Sequence, residues 1–527
     1  MIFRATGVAS ATPIEAHDGL GLHGLGLLLL ASSILTGMVA VGGAGCGGAT
    51  APVADGTEAE SQPVAETSRP REEPPASGPA RDIAFPPIQR FQMESGLEVR
   101  LVERRQLPVV YARLVFFSGS ETDPEHLPGL SNLVAQMLEE GTRSKSSAEL
   151  AEEIEYLGAD MQSGSDEESL YVGVQGLSEH FETMIELLAE IVTQPAFEED
   201  ELAKLKRREL DRLKLMSARP NYLARRILYQ RLYGTHPYGH VDTNTEVLRR
   251  LAREDLVTWH EAHIAPNNAT LVVVGDVDRA RVERNVGQVF ELWQPTSVPQ
   301  TQYPQTPQRT ERELVVVDRP GSVQTTIMIA NLAVERGHED WVPLMVSNQV
   351  LGGSAASRLF MDLREERGLT YGAYSNIAER VKVGPFLAYA QVETSKTFEA
   401  VGAFFEHLER ITTEAVPEEE LERAAQYLSN SFPLEIDTPA KIASMVSDLR
   451  VFELPDGYWD GFRSSIASVM TEEALAAAQA HIHPRQSLVL LVGDAGRIAE
   501  PLRRFGEVQV VNADDEVLQT LPPLAIP

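Results

Sequence analysis

The chain has 527 residues, 43% of them apolar and 23% charged, which is material for more than one hydrophobic core. Asp and Glu outnumber Lys and Arg by 77 to 46, a formal charge of -31 at pH 7. Such a surface repels phosphate backbones, which argues against nucleic-acid binding, and it favours cationic partners such as basic peptides.

The N-terminal stretch "LGLHGLGLLLLASSILTGMVAVGGAGCGG" is an apolar run ending in small residues and Cys46, the single cysteine of the chain. It resembles a bacterial lipoprotein signal over residues 1–46, in which Cys46 is lipidated and becomes the mature N-terminus. A plain signal peptide and a single membrane anchor are the alternatives, and all three export the protein. Residues 47–82 are rich in Pro, Ala, Glu and Gly with little to bury, the composition of a disordered tether. Globular sequence begins near Ile83.

From there "VVYARLVFFSGS" (109–120) reads as a strand. "PGLSNLVAQMLEEGT" (128–142) follows with Leu130, Leu133, Val134, Met137 and Leu138 at helical spacing. This helix also carries two neutral amides one turn apart, Asn132 and Gln136, with Ala135 between them. "HEAHIAPNNATLVVVGDVD" (260–278) has a counterpart in "AQAHIHPRQSLVLLVGDAG" (478–496): helix end, His-Ile-x-Pro turn, apolar strand, closing Gly-Asp turn. Between the copies, residues 294–310 are rich in Pro, Gln and Thr, a linker composition. The chain therefore divides into 83–293 and 311–527, and the second part also opens on a strand, "SVQTTIMIANLA". Strands mixed with helical pairs, without strict alternation, predict α+β domains.

Few residues present themselves for chemistry. Cys46 belongs to the N-terminal signal, and no G-x-S-x-G elbow or phosphate-binding loop is present. Gly352-Gly353 reads as a turn that lets a helix pack closely. In "HEAH" only His263 recurs in the repeat, as His481, which suits packing. His236 and His240 flank Pro237 and Gly239, which breaks any helix that could aim both at one ion. His126 and His180 are the remaining unorthodox ligand candidates. "LGGSAASRLFMDLREERGLTYGAYSN" is more informative: Arg364 sits near the end of a helix with an apolar face of Leu359, Phe360 and Leu363, Gly368 ends it, and Tyr371 follows. A guanidinium and a phenol on one spot could donate hydrogen bonds to a developing oxyanion. A surface ion pair with Glu365, Glu366 or Asp362 and a packed tyrosine are the alternative.

Three stretches together resemble the insulinase/pitrilysin family of zinc peptidases, the inverzincins, in their mitochondrial-processing-peptidase-like branch. "GLSNLVAQMLEEGT" is similar to the family's GxxHxxEHMxxxGT segment in Gly129, Met137, Gly141 and Thr142. "HPYGH" with "VTWHEAHIAPNNATLVVVGDVD" resembles the end of the first family domain, and "LGGSAASRLFMDLREERGLTYG" resembles the second. The resemblance implies two homologous metallopeptidase-like α/β-sandwich domains forming half of a clamshell around a peptide chamber. It places Asn132 and Gln136 where active members carry zinc-binding histidines and Ala135 where they carry the glutamate base. The family's third ligand aligns near Ala203, with Glu201 close by. "GADMQSGS" (158–165) stands at the family's substrate-binding edge strand, where Gln162-Ser163 replace Asn-Ala and Gly164 weakens a strand. Arg364 and Tyr371 match the pair that contacts the scissile carbonyl. The implied reading is a chain without a cofactor of its own, paired with a sibling that carries H-x-x-E-H and zinc. It would act on peptides and be held at a membrane by its N-terminus, with no nucleic acid involved. The alternative is an envelope-anchored pseudopeptidase that binds or scaffolds.

Overall fold

The computed structural model describes residues 83–524. The signal region, Cys46 and the tether lie outside the described residues. Among the described residues no helix is long and apolar enough to cross a membrane.

Two mixed sheets organise the molecule. The first contains β1 (Gln89–Gln92), β2 (Glu98–Glu103), β3 (Val109–Phe116), β4 (Asp160–Ser165), β5 (Leu170–Leu177) and β6 (Ala269–Gly275), in the order β1-β2-β6-β3-β5-β4. The second contains β7 (Glu313–Asp318), β8 (Gln324–Leu332), β9 (Thr370–Ile377), β10 (Pro385–Glu393), β11 (Leu488–Gly493), β12 (Val508–Val511) and β13 (Val517–Leu521), in the order β13-β12-β7-β11-β8-β10-β9. The two repeat copies supply β6 and β11, and these occupy equivalent places. Each runs parallel to the first long strand of its half and antiparallel to the next, β6 between β2 and β3, β11 between β7 and β8. Both are buried along their whole length, as unbroken apolar runs flanked by strands on both sides should be.

Helices are exchanged between the halves. The helix Pro220–Tyr233, from the first half of the sequence, lays Leu223, Ala224, Ile227 and Leu228 against Val315, Val317, Met328 and Leu490 of the second sheet. Its Tyr233 hydroxyl donates to the Val383 carbonyl at 2.9 Å. Reciprocally, the helix Pro439–Val451 packs on β3 and β6, so that Ile442, Val446 and Leu449 share a core with Tyr111, Val272 and Val274 of the first sheet. Each sheet thus completes its core with a helix that the other half encodes.

The hairpin turns also meet. The turn after β4 carries Glu167 and Glu168, and the turn after β9 carries Arg380 and Val381. Arg380 pairs with Glu167, while buried Glu168 accepts from the Val381 amide at 3.0 Å and from the Tyr238 hydroxyl at 2.6 Å. Burial pushes the Glu168 carboxyl above its ordinary range. Residues 294–310 form no helix or strand, but they are held down: Tyr303 stacks on His236 at 5.3 Å and its hydroxyl bonds Glu121.

The segment 158–165 contains the edge strand that the resemblance implies. Residues 160–165 form edge strand β4, paired with β5 along their length. Gly164 is the position over which the Tyr171 ring lies, since an added Cβ would sit 2.9 Å from that ring. The glycine admits a neighbour's side chain and the strand persists.

Candidate functional site

The amide helix spans Leu130–Leu138. Its start is capped by Asp123, whose two carboxylate oxygens accept from the amides of Gly129 and Ser131, each at 2.8 Å. Burial raises the Asp123 carboxyl to about 7. Gly129 has φ +84, and a Cβ there would meet Thr243 at 2.7 Å, so the conformation and the close approach both require glycine. Leu130, Leu133, Val134, Met137 and Leu138 fill the first core.

Asn132 is exposed and Gln136 half-buried on the opposite side, and Gln136 Nε2 donates to Asn132 Oδ1 at 2.7 Å. Ala135 is fully buried, and its carbonyl accepts from the Ser163 hydroxyl of β4 at 2.8 Å. On the helix Glu199–Ser217 the buried stripe is Leu202, Leu205, Glu209 and Leu213. Ala203 is exposed and Glu201 pairs with Lys204 at 2.7 Å. Buried Glu209 is committed to Arg212, which also holds Asp242. These side chains do not fit a catalytic zinc ion: the amides satisfy each other, alanine offers no donor, and the nearby carboxylates are bound to cations.

Arg364 and Tyr371 lie on the second half. Residues Met361–Glu366 form a widened, π-helical turn in which the Arg367 amide donates to the Asp362 carbonyl at 2.8 Å. The Asp362 carboxylate braces the turn, accepting from Arg367 at 2.9 Å and contacting His407 at 2.8 Å. Leu359, Phe360 and Leu363 are buried, and Gly368 ends the helix at φ +59. The Arg364 guanidinium stacks over Phe360 at 4.7 Å and approaches Glu365 at 3.3 Å, with nearly half of its side chain exposed. Tyr371 is the second residue of β9, the edge strand of the second sheet, and is 87% exposed. An ion pair this open contributes little stability. Gly352 lets the preceding segment approach β9, since a Cβ there would lie 2.3 Å from Ser375 Oγ.

The histidines of the first half have separate partners. His260 Nε2 contacts the Val192 carbonyl at 2.8 Å and His263 Nδ1 contacts Ser118 Oγ at 3.1 Å. Burial pushes the His263 imidazole down to about 4. His236 is packed among Tyr233, Tyr238 and Tyr303, while His240 is exposed. His126 is exposed, and His180 lies 4.0 Å from Glu179. One group that the sequence did not bring together is His338, Asp340 and His481, which converge on a single point of the second half.

Residues 99–245 match the family model described as Insulinase (Peptidase family M16), and residues 250–428 match the Peptidase M16 inactive domain. A Bacillus subtilis protein described as the uncharacterized zinc protease YmxG is 24% identical over 355 residues, covering 67% of this chain and 85% of that relative. A Helicobacter pylori protein described as a non-peptidase homolog, YmxG, is 24% identical over 341 residues, 64% of this chain and 78% of that relative. The crystal structure of a peptidase M16 inactive domain from Pseudomonas fluorescens superposes with a TM-score of 0.73 at 28% identity, covering 77% of this chain and 98% of that one.

Proposed function

The chain belongs to the insulinase (M16) peptidase family, and from that premise we propose that it is a non-catalytic subunit of an exported, two-chain peptidase. The observation that carries this reading is the contrast between the two halves. At the positions of the family's metal ligands, Asn132 and Gln136 are locked to each other and Ala135 is buried. On the other half, Arg364 is partly exposed on its widened turn and Tyr371 is exposed on the edge strand β9.

The zinc and the general base would belong to a sibling chain bearing H-x-x-E-H. This chain would contribute hydrogen-bond donors. A guanidinium and a phenol are both suited to an oxygen that gains negative charge. The turn from Met361 to Glu366 and the start of β9 carry the two residues. The chamber would be closed by the two chains together and would admit a peptide. Export and tethering through Cys46 complete the proposal.

The test is cleavage of a fluorogenic peptide library by each chain alone and by the mixture. Activity of the mixture with silence of each chain supports the subunit reading, and hydrolysis by this chain alone refutes it. A second reading, an envelope-anchored pseudopeptidase that binds or scaffolds, is favoured by the name of the Helicobacter pylori relative. It predicts peptide binding without cleavage in every combination.

A further inference from the structure

In the second half, three ligating side chains meet where the helix Thr471–His481 ends and the helix Trp341–Leu351 begins. His481 Nε2 lies 2.8 Å from Asp340 Oδ2, and His338 Nδ1 lies 3.7 Å from the same oxygen. One ligand atom from each residue falls within 4.8 Å of the other two, and the imidazoles stand edge to face at 5.3 Å. For metal–ligand bonds of about 2.0–2.1 Å, the edge of a tetrahedral site is about 3.3 Å, so these separations bracket it. The three residues are partly exposed.

The internal repeat separates this arrangement from ordinary packing. His263 holds the equivalent place in the first half, where its carbonyl accepts from Asn268 at 2.9 Å and its ring is buried against Ser118. The His481 carbonyl is also held by an asparagine, but from β8: it accepts from Asn331 at 2.8 Å. The His481 ring instead turns toward a carboxylate and a second imidazole. The packing role is filled in the first half without either partner, so Asp340 and His338 are additions that packing does not require. The Asp340 amide donates to His338 Nδ1 at 3.1 Å, so this nitrogen is the unprotonated one and its single lone pair is taken by the amide.

We propose that His338, Asp340 and His481 form a binding site for one divalent ion of the zinc class, separate from the degenerate positions on the first half. Two imidazoles and one carboxylate suit zinc and its neighbours and are poor ligands for magnesium or calcium, which require oxygen shells. A bound ion would exchange the Asp340 amide contact to His338 for coordination, and would tie the end of one helix to the start of the other.

The experiment uses the full chain without a histidine tag, stripped with chelator and titrated with Co2+ and then Zn2+. One equivalent of Co2+ should give the visible absorption of a low-coordinate ion, displaced by Zn2+, and Zn2+ should raise the melting temperature. His338→Ala and His481→Ala should each weaken binding by about tenfold or more and remove the thermal shift, whereas His126→Ala, at an exposed position, should change neither. If His481→Ala fails to fold, His338→Ala and Asp340→Asn carry the test. Absence of saturable binding, or binding unchanged in the His338 and Asp340 variants, overturns the proposal.

Discussion

The helix exchange makes a quantitative demand on how the molecule unfolds. Leu228, on the helix that covers the second sheet, and Leu449, on the helix that covers the first, are 0% and 1% exposed. Truncating either to alanine removes a buried side chain from a core that draws on both halves, at a cost of about 3 kcal/mol. With a urea slope of about 3 kcal/mol per M, the midpoint should fall by about 1 M. Because each helix belongs to one half by sequence and to the other by packing, each variant should shift both halves equally. The chain contains four tryptophans, Trp259 and Trp293 before the linker and Trp341 and Trp459 after it. Replacing either pair by phenylalanine leaves reporters in one half only. Leu228→Ala and Leu449→Ala should then produce the same midpoint in both reporter backgrounds. If the halves unfold at separate urea concentrations, or if one variant moves the reporters of one half alone, the halves are independent and the exchange does not couple them.

Two further outcomes follow from buried groups. Burial pushes the Asp448 carboxyl up to about 8, with Glu379 and Asp166 reinforcing the rise and Arg113 and Arg336 opposing it. Its pKa is raised on folding, so between pH 7 and 8 the folded chain keeps a proton that the unfolded chain has lost, and stability falls with pH by up to about 1.4 kcal/mol per unit. The window lies above the ordinary histidine range, where His236, His260 and His263, all held low by burial, would act in the opposite sense. Urea midpoints should therefore decline from pH 7 to pH 8 in the parent and less steeply in Asp448→Asn, where buried Glu168, raised by the same cause, still titrates; an equal decline in the two contradicts the assignment. Gly352→Ala should cost roughly 1–3 kcal/mol, because the new methyl meets the Ser375 backbone amide at 2.4 Å and must push the helix away from β9. A midpoint equal to that of the parent would show that the approach is looser than this.

What could be read in advance followed local periodicity. The buried strands β6 and β11 were visible because the same turn–strand–turn string occurs twice, and the amide pair was visible because i and i+4 share a helix face. The exchange of helices was not visible. An amphipathic stripe such as Leu223, Ile227 and Leu228 specifies that a helix is covered and not which sheet covers it. The neighbour of Gly164 was hidden for a related reason: Tyr171 lies across the strand pair. Arg364 and Tyr371 could be named from sequence, but the widened turn that presents Arg364 depends on Asp362 meeting His407 from another helix. His338, Asp340 and His481 carry no local signature because the packing of two helices, and not the spacing, brings residues 141 positions apart into contact.

The central claim is that this chain lends Arg364 and Tyr371 to chemistry performed on a sibling. It is tested most directly by peptide turnover in the mixture of the sibling with Arg364→Ala, alongside co-purification of the two chains. The account predicts that the variant still assembles, that kcat falls by about a hundredfold or more, as loss of an oxyanion donor does elsewhere, and that Tyr371→Phe shows a loss in the same direction. An Arg364→Ala complex that turns over peptide at the parental rate would contradict it.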